Sequence, residues 1–325
     1  MNYLVTGGAG FIGSHLCERL LDDGHSVLAL DDLSTGRFAN VAHLEGRPGF
    51  ELRVASVTEP EVVERCITEC QAVFHLASAV GVRLVVDEPV KTIETIVNGT
   101  DVILRCCARY RRPMLLTSTS EVYGKSERIP FREDDDVVLG PSTTRRWAYA
   151  GAKMLDEFLA LAHWHEARLP VVVARLFNTV GPRQTGRYGM VIPRFMAQGI
   201  AGEPLTVYGT GRQTRCFAHV KDVVEALVQL IHHPEARGQV FNVGNDEEVS
   251  ILGLAERIRD LTGGRSEIRT IPYDEAYTSG FEDMVRRVPS LEKIQRLIGY
   301  TPTRNLGQIL ADVRAEAERP RGPIE

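Results

Sequence analysis

Through its first half the chain alternates two kinds of hydrophobic pattern. Short runs that are apolar almost throughout, NYLVT (2–6), SVLALD (26–31), AVFHLAS (72–78), PMLLTSTS (113–120) and LPVVVARLF (169–177), read as strands buried on both faces. Between them, apolar residues fall at helical spacing in FIGSHLCERLLDD (11–23), VKTIETIVNGTDVILRCCARY (90–110) and AYAGAKMLDEFLALAHWHEA (148–167). Strands that alternate with helices predict an α/β fold, a parallel sheet covered on both faces. After about residue 178 the rhythm breaks into loops rich in Gly, Pro and Arg (GPRQTGRYG, YGTGRQTRC) with shorter elements between them. This predicts a main domain over 1–178 and a smaller C-terminal α/β lobe over 179–325. The strand-like FNVG (241–244) suggests that the chain returns to the main sheet near 215–245.

Composition narrows the field without changing that picture. A chain of 325 residues with 43% hydrophobic and 25% charged residues is that of an ordinary globular protein, with enough length for one large or two modest domains. A formal net charge of −5 gives no reason to expect nucleic acid or a membrane surface as partner. No apolar run reaches transmembrane length, and strand pattern beginning at Tyr3 leaves no room for a signal peptide, so a cytoplasmic protein is expected. The six cysteines form no paired CxxC and are read as reduced thiols. His75, His163, His165 and His219 lack acidic partners at ligand spacing, so no metal site is expected.

The first chemistry-bearing motif is TGGAGFIGSH, which follows the first strand and opens the first helix. Gly7, Gly10 and Gly13 provide a backbone without Cβ atoms, able to turn sharply and approach a pyrophosphate at the positive end of that helix. Asp31 ends the second strand about 20 residues on, where a carboxylate accepts bonds from the adenosine ribose and repels a 2′-phosphate. The pattern predicts a Rossmann-type doubly wound sheet binding NAD in preference to NADP. Asp32 is placed to share the role, and Arg37 keeps NADP open.

The second motif is a pair. Tyr149 stands four residues before Lys153, on one face of the helix that follows the hydroxyl-rich strand end TSTSEVYG (117–124). A unit charge at ~4 Å in an effective dielectric of ~20 is worth about 4 kcal/mol, or roughly three pKa units, at the upper limit. A phenol with an ordinary pKa near ~10 then becomes a usable base near neutrality. Y-x-x-x-K alone is commonly a solvated helix face. The order glycine loop, hydroxyl strand, Tyr–Lys helix is what makes it specific.

With these motifs in place, the chain resembles the extended short-chain dehydrogenases/reductases of the nucleotide-sugar epimerase, dehydratase and decarboxylase group. The resemblance spans nearly the whole chain: TGGAGFIGSH, HLAS, NGT (98–100), TSTSEVYG, YAGAK, RLFNTVGPRQ, GEPLTVYGTGRQTRCFAHVKD and FNVG. It implies that Thr119, Tyr149 and Lys153 are the catalytic hydroxyl, base and lysine, with Glu121 beside them. It implies further that Gly7, Gly10, Phe11, Ile12, Gly13, Asp31, Asp32, Leu76, Ala77, Asn98, Tyr149 and Lys153 hold NAD. A UDP-sugar would meet Ser120 and Thr119, Asn178, Arg215 and Arg287 at its diphosphate, Val191 nearby, and Val207 and Tyr208 at its base. Arg83 and Arg187 are the candidates for the sugar end. The family implies a homodimer built on the helices at 90–110 and 149–166.

The family's reactions share oxidation at C4 of the sugar and diverge afterwards. Ser120–Glu121 replaces the Asp–Glu pair usual in dehydratases, which ranks dehydration third. TSTSEVYG and GEPLTVYG…QTR resemble UDP-glucuronate decarboxylases, but WAYAGAKM replaces their CYDEGKR-like helix. Gly81, Val82 and Arg83 resemble the GVR stretch of glucuronate 4-epimerases, although Thr185 stands where those have arginine. The first expectation is therefore 4-epimerisation of UDP-glucuronate to UDP-galacturonate. The alternative is UDP-glucuronate decarboxylation to UDP-xylose, then a UDP-glucose/UDP-galactose 4-epimerase. A catalytically silent NAD-binding scaffold is disfavoured by the presence of Thr119, Tyr149 and Lys153 together. Ser56, where the family usually has an aspartate on the adenine, and VPS (288–290) are further departures.

Overall fold

The structure is a computed structural model that describes residues 1–78, 88–186, 190–276 and 284–319. The chain runs through β1 (Asn2–Thr6), α1 (Phe11–Asp22), β2 (Ser26–Asp31), β3 (Phe50–Val54), α2 (Pro60–Glu69), β4 (Ala72–His75), α3 (Pro89–Tyr110), β5 (Met114–Thr119), α4 (Trp147–Ala167) and β6 (Val171–Leu176). It continues with β7 (Thr179–Val180), α5 (Val191–Ala201), β8 (Leu205–Tyr208), β9 (Thr214–Cys216), β10 (Ala218–His219), α6 (Val220–His232) and β11 (Gln239–Val243). The last elements are β12 (Glu248–Ser250), α7 (Ile251–Leu261), β13 (Ile268–Ile271), α8 (Tyr273–Ala276), β14 (Arg286–Arg287), α9 (Glu292–Ile298) and α10 (Leu306–Ala317).

Seven parallel strands form the main sheet, in the order β11-β6-β5-β4-β1-β2-β3. The apolar strands are central because both faces are covered: all six residues of β5 are buried. Leu16, Leu20, Phe74, Leu115 and Leu227 pack in one core layer, and Leu4, Val73, Ile103, Leu104 and Val173 in the other. Burial of each such side chain stabilises the fold by about 1.5–3 kcal/mol. The strand missing from the sequence reading, β3, is the sheet edge. Its FELRV is only partly buried and carries no apolar run. FNVG contributes Phe241, Asn242 and Val243 to β11, where Phe241 is in register with Ala174 of β6.

Beyond β6, three small sheets (β7 with β10, β9 with β12 and β14, β8 with β13) support a separate core containing Phe195, Leu205, Val207, Leu254 and Leu310. The sheet order reverses direction between β1 and β4, which opens a crevice outside their carboxyl ends. The first glycine turn sits there. Gly7 has φ +70, and a Cβ on it would stand 2.8 Å from the backbone nitrogen of Ala77.

Candidate active site

One continuous cavity of about 890 Å³ runs from the carboxyl ends of β1 and β2 to β8, β9 and β14 of the second lobe. A volume in this range accommodates a substantial small molecule. At one end, Gly7, Gly10, Phe11, Ile12 and Gly13 line it from the glycine turn and the start of α1, with Leu76 and Ala77 opposite. A Cβ on Gly13 would fall 2.0 Å from the carbonyl oxygen of Gly7, so the helix start packs directly onto the turn. Asp31 also lines the cavity. Its carboxylate accepts from the backbone nitrogens of Ala9 and Leu33, each at 2.9 Å. Burial pushes this carboxyl up, and the two backbone bonds oppose that. Asp32, also on the wall, is turned into its own loop, where it accepts from the Ser34 nitrogen at 2.9 Å.

Tyr149, Lys153, Thr119 and Ser120 form the middle of the cavity wall. Thr119 ends β5, its Oγ1 accepting from the backbone nitrogen of Glu121 at 3.2 Å. Tyr149 lies in the first turn of α4 with its phenol against the Thr119 hydroxyl. Burial, followed by the Glu121 carboxylate, pushes this phenol well above its ordinary range, while the Thr119 and Ser78 hydroxyls pull it down. The sequence argument gave Lys153 the opposite effect. In the structure the Lys153 ammonium is taken by Asp156, with Nζ 2.9 Å from Oδ2, so an acid one turn onward offsets the charge meant for the phenol.

Beyond Tyr149 the wall carries a charged cluster. The Glu121 carboxylate lies 2.5 Å from Nη1 of Arg146 and 2.8 Å from Nη2 of Arg287. Burial alone would raise this carboxyl, but Arg287 and Arg146 hold it at about 2. The cluster is ionised at neutral pH and bears one net positive charge. Further out, Arg215 donates through Nη1 to the carbonyl of Met284 at 2.8 Å, and Asn178 through Nδ2 to that of Cys216 at 3.1 Å. Val191 and Tyr208 line the same end, with the Arg194 guanidinium 4.1 Å from the Tyr208 ring centre.

Residues 3–244 match the model of the family described as Epimerase, NAD dependent epimerase/dehydratase family. The chain belongs to the NAD-dependent epimerase/dehydratase family. It is 38% identical over 300 residues to a UDP-N-acetyl-alpha-D-glucosaminuronate decarboxylase of Bacillus cytotoxicus, a match covering 92% of each protein. It is also 38% identical over 299 residues to UDP-glucuronic acid decarboxylase 1 of Danio rerio, covering 92% of this chain and 68% of that protein. Its fold is similar to the UDP-glucuronic acid 4-epimerase of Bacillus cereus solved with UDP-glucuronic acid and NAD. There the TM-score is 0.87 and the identity 26%, with 97% of this chain and 98% of the other covered.

As a member of this NAD-dependent epimerase/dehydratase family, the chain has a glycine turn and Asp31 suited to the dinucleotide: the backbone is open to a pyrophosphate and the carboxylate faces the cavity. Two expected contacts are corrected by the structure. Asn98 does not line the cavity; the helical phase of α3 turns Thr92 and Thr95 toward it and leaves Asn98 exposed. Val207 is fully buried in the core of the second lobe, while its neighbour Tyr208 reaches the cavity, as strand alternation requires. Arg83 and Arg187 lie outside the described residues. Arg183, on the loop that leads to Arg187, is paired with Glu18 at 2.6 Å. Sequence reasoning missed Arg146 and Asp156. Both stand one helical turn from a motif residue, three before Tyr149 and three after Lys153, and that spacing was the available signal.

Proposed function

We propose that this protein is an NAD-dependent decarboxylase of a UDP-hexuronate. The observation that carries the reading is the buried Arg146–Glu121–Arg287 cluster beside Thr119 and Tyr149. Its net positive charge, in a site of low dielectric, suits a sugar that brings a carboxylate. The decarboxylases among the relatives support loss of CO2 as the outcome.

NAD, held by the glycine turn and Asp31, would supply the hydride acceptor for C4. Tyr149 must first give up its own proton, which the positive charge NAD would bring favours; as the phenolate it takes the proton of the C4 hydroxyl, and Thr119 orients that oxygen. With C4 a ketone, the C6 carboxylate belongs to a β-keto acid, which loses CO2 when its bond stands perpendicular to the ketone plane; the electron pair passes into the C4–C5 enolate, C5 then takes a proton, and return of the hydride to C4, with the proton on Tyr149 going back to its oxygen, would give the pentose and restore NAD. Arg146 and Arg287 attract the carboxylate, while the ionised Glu121 repels it and restricts the orientations open to it. Residues 1–178, with a return near 215–245, form the NAD-binding domain and 179–325 mainly the nucleotide-sugar lobe, with Asn178 and Arg215 at the seam and Tyr208 of the lobe toward the nucleotide. The protein acts as a homodimer. Six unpaired cysteines suit a reducing, cytoplasmic compartment.

The test is incubation of purified protein and NAD with UDP-glucuronate and, separately, with UDP-N-acetylglucosaminuronate, with the products read by NMR. A pentose product and released CO2 from either is expected. A C4-epimerised hexuronate that keeps its carboxylate would overturn decarboxylation in favour of the second reading, UDP-glucuronate 4-epimerisation, which the likeness to the Bacillus cereus structure supports. Tyr149→Phe should lower turnover by about 10²–10⁴-fold, the usual contribution of general acid–base catalysis, while NAD still binds.

A further inference from the structure

The ion pair of Lys153 and Asp156 is set almost wholly out of solvent, with residue exposures of 2% and 0%. Lys153 faces the cavity and Asp156 stands behind it, with Oδ2 on the ammonium and Oδ1 buried without a hydrogen-bond partner among the described residues. Burial pushes this carboxyl above its ordinary range, while the Lys153 ammonium and then the Thr100 hydroxyl of α3 pull it down. Thr100 Oγ1 is in turn 3.1 Å from Nε2 of His75 in β4, and His75 Nδ1 is 2.7 Å from Oγ1 of Thr6, the last residue of β1. Thr6 Oγ1 accepts from the backbone nitrogen of Ala77 at 3.2 Å.

The chemistry of these groups fixes the direction of every bond. A carboxylate only accepts, so its field draws the Thr100 hydrogen toward Asp156. Thr100 Oγ1 then accepts from His75, which must carry its proton on Nε2. His75 Nδ1 accepts from the Thr6 hydroxyl, whose oxygen is already occupied by the Ala77 N–H. Burial, with the Lys153 charge adding to it, keeps His75 neutral by bringing it down to about 3. The bonded chain therefore runs one way, from the backbone beside the glycine turn to Thr100, whose hydroxyl lies near Asp156.

We infer that Asp156 is a positioning residue: it fixes the Lys153 ammonium and offsets its charge, so that the carboxylate, and not the lysine alone, sets the pH at which Tyr149 gives up its proton. This rests on the assignment of Tyr149 as the proton-transfer group. The other charged groups around the pair are balanced. Glu157 of α4 is bound to Arg175, Glu121 of the turn after β5 is held by Arg146 and Arg287, and His75 is neutral. Asp156 is itself among the groups that push the phenol up.

The test uses the full-length protein saturated with NAD. The near-ultraviolet absorbance of tyrosinate is titrated in the native protein and in Asp156→Asn, each corrected with its Tyr149→Phe counterpart. The residue-149 transition should lie roughly one to two pH units lower in Asp156→Asn, the size expected of a unit charge about 8–12 Å away in an effective dielectric of ~20. Equal transitions, a higher one, or none in either protein overturn the inference. If Asp156→Asn does not melt cooperatively, Asp156→Ala should show the same displacement. This readout needs no sugar, so failure of the decarboxylase reading leaves it intact. With turnover in hand, the acid limb of the pH–rate profile should move to lower pH in Asp156→Asn. A purely structural role would lower the rate at every pH and leave the limb in place.

Discussion

Glu121 shows at the scale of one residue how the site stores charge. Its carboxyl sits at about 2 against an ordinary 4.5 because two arginines outweigh the burial that would raise it. A folded-state pKa below the unfolded value contributes stability that is present above about pH 4.5 and is lost as pH falls through 4.5 toward 2. The full effect is about 3 kcal/mol by linkage. Glu121→Gln should therefore be less stable than the native protein at neutral pH, and urea unfolding should show that gap shrinking steadily between pH 5 and pH 2. A gap independent of pH would mean that the carboxyl is not ionised in the fold. The cluster also marks the limit of what single residues disclose. Tyr149, Lys153 and Thr119 were legible because each stands at a fixed offset from the others or from a strand end. The partners of Glu121 come from the start of α4 and from β14, and only the fold brings them together. Lys153 misled for a local reason. It has a phenol at i−4 and a carboxylate at i+3, and the charged neighbour takes the ammonium.

At the scale of the element, α4 must be held in register with β5 and β6, or Tyr149 and Lys153 would not meet Thr119. Glu157 does this. It accepts from the Arg175 guanidinium of β6 at 2.8–3.2 Å and from the Ser118 hydroxyl of β5 at 2.5 Å, with all three residues buried. Arg175 lies over the Tyr123 ring at 4.8 Å from its centre, which anchors the pair to the small apolar cluster below the site. Removing one partner of a buried pair leaves an uncompensated charge and costs about 3–5 kcal/mol. Glu157→Met should lose that much in denaturant titration and lower turnover through displacement of α4. The double variant Glu157→Met with Arg175→Met should lose less than the single one, because no lone charge remains. A double variant as unstable as the single one would show that α4 is held elsewhere. The elements themselves were legible where hydrophobic period decided them: β1, β2, β5 and α3 fall within a residue or so of the expected bounds. The edge strand β3 and helix α2 were not, since a half-exposed strand shows no continuous apolar run.

At the scale of the molecule, α3 and α4 do more than cover the sheet. Their inner faces supply Ile103, Leu104 and Ala160 to the core. Their outer faces leave large apolar side chains in water: Val90 at 67% and Ile93 at 41% exposed on α3, Leu155 at 44% and Phe158 at 62% on α4. Within each helix the two residues are three apart and share a face. Two parallel helices that present apolar residues outward are self-complementary under a two-fold rotation, so the occupant that fits without further assumption is a second copy of the same surface. A stable interface of this kind removes about 800 Å² from each partner, which two helices of 22 and 21 residues can supply. The protein should therefore sediment as a dimer at micromolar concentration. Phe158→Glu buries a carboxylate against its own symmetry mate in that arrangement and should shift the protein to monomer, with the secondary structure unchanged by circular dichroism. Since Tyr149 and Lys153 lie on the cavity side of the same α4, dissociation should also reduce turnover without abolishing NAD binding. A native protein that sediments as a monomer, or a Phe158→Glu dimer as tight as the native one, would place the interface elsewhere and leave the outer face of α3 and α4 without an assigned partner.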